Sequence, residues 1–316
     1  MSKIYKNVHI IYNPMAGTII RHHGRFQRAV GALREQGHGI CLVPTTHPLH
    51  ATQLAAASVA SDVDLIVAAG GDGTINEIIN GMVGSRTPLA VLPCGTANVL
   101  ACETGIPRSP EEAARALPTW RPNRVALGVL QPTGAPTRHF LLMAGAGLDA
   151  EVLRHLDQAW KNRAGKLAYW LAGLLMATKR LPRLRVSGAA ATATSFALAS
   201  RVRNYGGDLS IAVGAHLLRD DFELVTFRGS TSLPFLAYLG AAVVGWTAKV
   251  PGVAVAGASH LRCEPLNGDR VGVQVDGEPA GNLPADIDIV PDALTLLLPE
   301  SYVRRRPARP SYTPQE

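Results

Sequence analysis

Over the first 105 residues, short apolar runs alternate with amphipathic stretches, and each apolar run stops at a turn rich in Gly, Pro or Asn. Val8 to Tyr12, Gly39 to Val43, Asp64 to Ala69 and Leu89 to Leu92 read as strands. Phe26 to Glu35, Thr52 to Ala60, Ile75 to Val83 and Ala97 to Glu103 read as the helices between them. Strands separated by helices imply a parallel sheet covered on both faces.

The pattern changes at Pro118 to Asn123, where two prolines and Trp120 crowd a short stretch. Beyond it, candidate strands follow one another at Arg124 to Leu130, His139 to Met143, Ser195 to Val202, Leu209 to Val213, Phe222 to Phe227, Arg270 to Val275 and Ala293 to Leu298. Turn signals rather than regular helices separate them, which predicts an antiparallel β-sandwich. Helical stretches interrupt it at Glu151 to Trp160 and Leu167 to Thr178. The expectation is therefore an α/β domain over 1–120 and a β-sandwich over 121–299, with the Pro- and Arg-rich end, 300–316, folding back onto the first or only loosely ordered.

Composition narrows the class. The 316 residues, 47% hydrophobic and 17% charged, describe a globular chain of a length that favours two domains. The glycines show no three-residue period, which excludes a collagen-like chain. Cys41, Cys94, Cys102 and Cys263 form no C-x-x-C pair, so neither a zinc site nor a disulfide framework is indicated. Asn13 and Pro14 interrupt the N-terminal run before it reaches the apolar core of a signal peptide, so a cytoplasmic chain is expected.

Gly229 to Ala248 carries no charge and has about the length of a spanning helix. Its Ser, Thr, Pro and Gly content predicts a buried or interfacial helix instead. Part of the net charge of +7 is clustered at Lys179, Arg180, Arg183 and Arg185, and at Arg304, Arg305, Arg306 and Arg309. These clusters are either a solvated face and tail or a contact to an anionic membrane surface. Without interleaved aromatics they do not resemble a nucleic-acid site.

The chemistry gathers in glycine loops. Gly70-Gly71-Asp72-Gly73-Thr74 follows a strand and opens a helix, so backbone N–H groups can approach a ligand that a Cβ would exclude. The helix N-terminus behind it adds donors and a positive dipole end, a combination suited to phosphate. Asp72 would repel phosphate unless it faces a metal, a hydroxyl or backbone donors. Thr74 to Glu77 also matches a capping box, so Thr74 and Glu77 serve either the ligand or the helix start. Leu92-Pro93-Cys94-Gly95-Thr96-Ala97-Asn98 repeats the construction, with Thr96 either an N-cap or a phosphate contact. Asn13 to Gly17 would be the third member of the rim, because loops at the carboxyl ends of parallel strands gather where ligands bind.

The stretches GGDGTINEIINGM at 70–82, LPCGTAN at 92–98, NPMAG at 13–17 and VDGEP at 275–279 resemble the diacylglycerol kinase catalytic-domain family, which includes bacterial soluble lipid kinases and the sphingosine and ceramide kinases. The likeness runs over about residues 5–300. It implies an α/β nucleotide domain, a β-sandwich lipid domain and an active site between them. It puts ATP against Asn13, Gly17, Gly71, Asp72, Gly73, Thr74, Glu77, Gly95 and Thr96, with Thr45 as a further contact that Thr46 could replace by a one-residue shift. Asp276 matches the proton acceptor, although Asp-Gly is equally a hairpin signal. A carboxylate in that position can contribute about 10²–10⁴ in rate.

Asp220 and Asp221 resemble a segment that binds a structural Mg2+, but Phe222 stands where the family usually has Gly. Ala16 and Val99 depart in the same way from a frequent Ser and a frequent acidic residue. Ala144 to Ala150 fits a dinucleotide fingerprint, yet no acidic strand end follows about 20 residues later, so its glycines read as packing or substrate-cleft residues.

The expected function is an ATP-dependent lipid kinase that transfers the γ-phosphoryl group of MgATP to a diacylglycerol-like or sphingoid-like hydroxyl. The expected place of work is the inner membrane surface, and a homodimer is compatible with it. Two alternatives stand beside this reading: a nucleotide kinase similar to NAD kinases, which also carry a GGDGT loop, and a lipid-binding regulatory module without catalysis.

Overall fold

In the computed structural model, residues 3–147, 181–188, 192–205, 209–228 and 252–305 are described. The uncharged stretch at 229–248 and the helical stretches at 151–160 and 167–178 lie outside them. The chain groups into two units, 1–127 with 291–306, and 128–290.

The first unit contains β1 (Val8–Tyr12), α1 (Gly17–Arg21), α2 (His23–Glu35), β2 (Ile40–Pro44), α3 (His50–Ala60), β3 (Leu65–Gly70), α4 (Asp72–Met82), β4 (Pro88–Pro93), α5 (Val99–Thr104) and α6 (Pro110–Ala116). Its strands run parallel in the order β2-β1-β3-β4. All six residues of β3 are buried, as a strand sandwiched between helix layers requires. Asp64, just before β3, accepts the amides of Lys6 and Asn7 at 2.9 Å each, which fixes the entry to β1. Helices α3 and α4 approach closely at Gly81, where a Cβ would meet the Thr52 carbonyl oxygen at 2.2 Å.

A long strand, β5 (Trp120–Pro132), leads into the second unit. There follow β6 (Arg138–Phe140), β7 (Met143–Gly147), β8 (Leu184–Ser187), β9 (Thr192–Thr194), β10 (Phe196–Ser200), β11 (Asn204–Tyr205), β12 (Leu209–Ser210), β13 (Phe222–Phe227), β14 (Val253–Ala258), β15 (His260–Pro265), β16 (Gly272–Val275), β17 (Glu278–Asn282), β18 (Ala285–Pro299) and α7 (Glu300–Val303). One antiparallel sheet has the order β14-β13-β10-β7-β16-β17. In the second, the first half of β18 pairs antiparallel with β15, which pairs with β8 and then β9. Apolar side chains of both sheets, among them Ala144, Leu184, Leu224, Val273 and Ile287, form a shared core. The protein is thus an α/β parallel-sheet unit combined with an antiparallel β-sandwich.

The sandwich reading of Ala293 to Leu298 needs correction. Those residues close β18, and Thr295 and Leu296 pair parallel with Pro88 and Leu89 of β4, in the first unit. Asp292 (φ 51°) redirects the chain, and its carboxylate accepts from Arg124 Nε at 2.6 Å and Arg86 Nη2 at 2.9 Å. The apolar run by itself cannot distinguish a strand of one sheet from a strand of the other. Immediately afterwards α7 buries Tyr302 completely, with its hydroxyl 3.4 Å from the carboxylate of Glu103 in α5.

Candidate active site

Three strand-end turns of the first unit are stitched together by main-chain hydrogen bonds. The Asn13 amide, one residue past β1, donates to the Ala69 carbonyl at 3.2 Å; the Cys94 amide, past β4, donates to Gly70 at 2.9 Å; and the Thr18 amide donates back to Cys94 at 3.0 Å. Asn13 also folds its own turn, its Oδ1 accepting the Met15 amide at 2.8 Å. At the end of β2, Thr45 donates its amide to Tyr12 at 2.9 Å. The neighbouring Thr46 is engaged with His50, Oγ1 to Nδ1 at 3.0 Å, so the two threonines offered by the sequence are not equivalent.

Where the turns meet, only glycine fits. A Cβ on Gly95 would lie 2.5 Å from the Gly71 Cα, and one on Gly70 would lie 2.5 Å from the Thr74 Cβ. Helix α4 begins at Asp72 with Gly71 as its N-cap and no side-chain cap. The capping box at Thr74 to Glu77 is therefore not formed; Thr74 already lies inside the first turn. Glu77 instead accepts the Ala51 amide at 3.2 Å, in the first turn of the neighbouring helix α3, where Leu49 provides no side-chain cap. Thr96 is exposed and is not an N-cap either, since Asn98 occupies that position before α5.

Asp72 finds backbone donors, one of the three partners that would let an anion sit in this loop. Its Oδ2 accepts the Val99 amide at 3.1 Å and its Oδ1 the Leu100 amide at 3.4 Å, both at the start of α5. Asn98, buried and left-handed (φ 48°), closes the second loop on itself. Its Oδ1 accepts the Gly95 amide at 2.9 Å and its Nδ2 donates to the Gly95 carbonyl at 3.0 Å. In the sequence Asn98 stands out only as the last residue of the 92–98 stretch, inside the helix expected from Ala97, and the structure instead starts that helix at Val99. Cys94, between these loops, is buried, and burial pushes its thiol up to about 12, so it is an inert packing residue.

In the second unit, Asp276 and Gly277 are the two central residues of the β16–β17 hairpin, both at positive φ (47° and 86°), as a tight primed turn requires. The hairpin and the carboxylate site are the same structure. Asp276 is buried, and its carboxylate accepts the amides of Leu141, Leu142 and Met143 at 3.1, 3.0 and 2.9 Å. Its own amide donates to the Met143 carbonyl at 2.9 Å. The 141–143 backbone donors had no sequence signal, because nothing in an apolar run announces that its amides will face an acid more than 130 residues away.

Asp220 is exposed, and Asp221 is not disposed to hold a cation. Both of its oxygens face the Arg219 guanidinium, Oδ1 from Nε at 2.8 Å and Oδ2 from Nη2 in a close ion pair. Among the described residues no group of three His, Cys, Asp or Glu side chains could hold a metal ion. Nearby Glu223 is buried, and its desolvation raises its pKa against the opposing effect of the Gly214 and Ala215 amides. The glycine-rich segment at 144–147 is the central strand β7, not a nucleotide turn. Gly147 (φ 83°) allows the Ser195 carbonyl to approach where a Cβ would meet it at 2.2 Å.

The first unit thus has a parallel sheet with a glycine-lined rim, and the second a sandwich with an acidic hairpin. Matching family models place the chain among the diacylglycerol kinase-type lipid kinases: residues 7–130 match the diacylglycerol kinase catalytic domain and residues 143–298 the YegS C-terminal NAD kinase beta sandwich-like domain. The chain belongs to that family. It is 36% identical to a diacylglycerol kinase of Bacillus subtilis over 57% of each chain, so the match spans little more than half of that relative. It is 27% identical to a diacylglycerol kinase of Mycobacterium tuberculosis over 91% of this chain and 93% of the other. A crystal structure of a diacylglycerol kinase from Bacillus anthracis shares the fold, with a TM-score of 0.75 at 20% identity over 94% of this chain and 98% of that one.

Proposed function

We propose that this protein is an ATP-dependent lipid kinase that transfers the γ-phosphoryl group of MgATP to the hydroxyl of a diacylglycerol-like or sphingoid-like lipid. The observation that carries the reading is the welding of the 13–17, 70–74 and 94–98 turns into one glycine-lined rim. Phosphoryl transfer depends on positioning and charge stabilisation more than on covalent chemistry. The amides of Gly71 and Gly73, the hydroxyls of Thr74, Thr96 and Thr45, and the Asn13 and Gly17 turn are the groups assigned to the polyphosphate. Gly95 lets the 70–74 and 94–98 turns close on each other, Asp72 ties the two helix starts together, and Glu77 braces α3 behind them.

Asp276 is assigned to the acceptor hydroxyl. Three backbone donors fix the direction of its carboxylate, so it is placed to orient the hydroxyl and accept its proton. That suits a loose transition state, in which the nucleophile needs little activation. Magnesium enters with the nucleotide; Asp221, occupied by Arg219, is given no part in the transfer.

The lipid is met at the inner membrane surface, where exposed Arg183 and Arg185 add to the attraction of anionic headgroups. Among the described residues no helix is long and apolar enough to cross a membrane. An assay of radiolabelled ATP with diacylglycerol, sphingosine and ceramide in mixed micelles, and with NAD in solution, tests the proposal. A labelled lipid supports it. Labelled NADP alone supports the nucleotide-kinase alternative, and lipid binding without any labelled product supports the non-catalytic one.

A further inference from the structure

The 214–223 segment carries the two acids that the family likeness assigns to a structural metal, and its contacts form a different arrangement. The Arg219 side chain, 24% exposed, uses Nε and Nη2 for the two oxygens of Asp221 and directs Nη1 to the Gly214 carbonyl at 3.3 Å. On the other side of Gly214 lies the buried Glu223 carboxylate, whose oxygens would be 3.1 and 3.2 Å from a Cβ at that glycine. Carboxylate oxygens together with a backbone carbonyl are the ligand set of a hard divalent cation. Here a guanidinium stands among them, with a planar donor fork that matches a carboxylate through two bonds.

Arg219 is itself held in place. Its amide donates to the His216 carbonyl at 3.0 Å. The fully buried Arg201, just past β10, donates from Nη1 to the Arg219 carbonyl at 3.2 Å and from Nη2 to the Leu217 carbonyl at 2.7 Å. Three carbonyls of this turn that could otherwise join an oxygen shell, those of Gly214, Leu217 and Arg219, thus already accept from guanidinium donors. A divalent ion placed here would bring its charge against two guanidinium groups and would have to displace one of them from Asp221.

We propose that Arg219 is a built-in cation that takes the structural place of a divalent metal in the 214–223 segment, so that this segment folds and stays folded without one. The proposal is independent of which acceptor the enzyme phosphorylates. It confines any divalent requirement at Asp221 to variants that lack the guanidinium.

Manganese titration of the full chain without nucleotide, followed by the electron paramagnetic resonance signal of free Mn2+, tests it alongside thermal unfolding in EDTA and in Mn2+. Wild type is expected to show no Mn2+ binding that Asp221→Asn removes, and the same unfolding temperature in both media. Arg219→Met is expected to acquire Mn2+ binding and to unfold several degrees higher in Mn2+ than in EDTA, and Arg219→Met with Asp221→Asn is expected to lose both gains. Wild-type Mn2+ binding abolished by Asp220→Asn or by Asp221→Asn overturns the proposal, as does a folded Arg219→Met that ignores Mn2+. Should Arg219→Met fail to fold in EDTA, recovery of folded protein in Mn2+ supports the proposal and failure in both media overturns it.

Discussion

A Cβ placed on Gly95 would stand 2.5 Å from the Cα of Gly71 and 2.9 Å from Asn98 Oδ1. The two glycines therefore define the closest approach of the 70–74 and 94–98 turns. The obstacle for Gly95→Ala is backbone, which cannot rotate away. Overpacking of this kind costs about 1–3 kcal/mol, and the displaced loop should lose its ligand. Gly95→Ala is expected to lower the unfolding midpoint and weaken ATP binding by calorimetry. Gly31→Ala in α2, where a Cβ meets nothing within 4 Å, is the matched control and should gain about 0.5–1 kcal/mol.

Asp72 and Glu77 lie on one helix and are assigned different tasks. Asp72 receives two amides of α5 beside the glycine rim, whereas Glu77 receives the Ala51 amide of α3. Loss of a cap of this type costs about 0.5–2 kcal/mol, so both alanine variants should be less stable in urea titrations. Asp72→Ala should also lose ATP affinity, because the rim loosens, while Glu77→Ala should keep it. Equal ATP affinity in wild type and Asp72→Ala would reduce Asp72 to a cap.

Asp276→Asn changes more than a charge. An amide side chain has one acceptor oxygen, so its NH2 group would be turned toward at least one of the Leu141, Leu142 and Met143 amides. A buried donor left without its acceptor costs about 1–3 kcal/mol. The variant should therefore be measurably less stable as well as inactive, and ATP affinity should be retained. Turnover has to be compared at a temperature where circular dichroism shows both proteins folded.

His38 is buried and accepts the Tyr5 amide on Nδ1 at 3.1 Å, and burial lowers its pKa. In the folded state the neutral ring is favoured. As the pH falls below about 6.5 the unfolded chain takes up this proton before the folded one does. The stabilisation is therefore complete above the unfolded value and is lost as pH descends toward the lower folded value. Urea midpoints between neutral and mildly acidic pH should fall less steeply in His38→Asn, whose Oδ1 can accept the same amide.

The βα order, the glycine turns and the acidic hairpin were legible in the sequence because each is a local pattern: a fully apolar β3 followed by Gly-Gly-Asp-Gly, or Asp-Gly between two strands. What those residues touch was not. Thr74 to Glu77 has the spacing of a capping box, yet α4 starts at Asp72, because Gly71 can cap without a side chain and Glu77 is drawn to an uncapped neighbour. The amides that hold Asp276 come from 133–135 residues away. The pairing of Asp221 with Arg219 is local, but two adjacent acids after an arginine have the same composition whether they bind metal or guanidinium. Long-range partnering, rather than secondary structure, is what the one-dimensional pattern lacks.

The most direct measurement is a mixed-micelle assay with radiolabelled ATP in which wild type and folded Asp276→Asn, matched for ATP binding, are presented with diacylglycerol and sphingoid lipids. Label in a lipid phosphate made by wild type and lost in the variant is the predicted result. Equal label in the two proteins, or none in any lipid while ATP is bound, would contradict it.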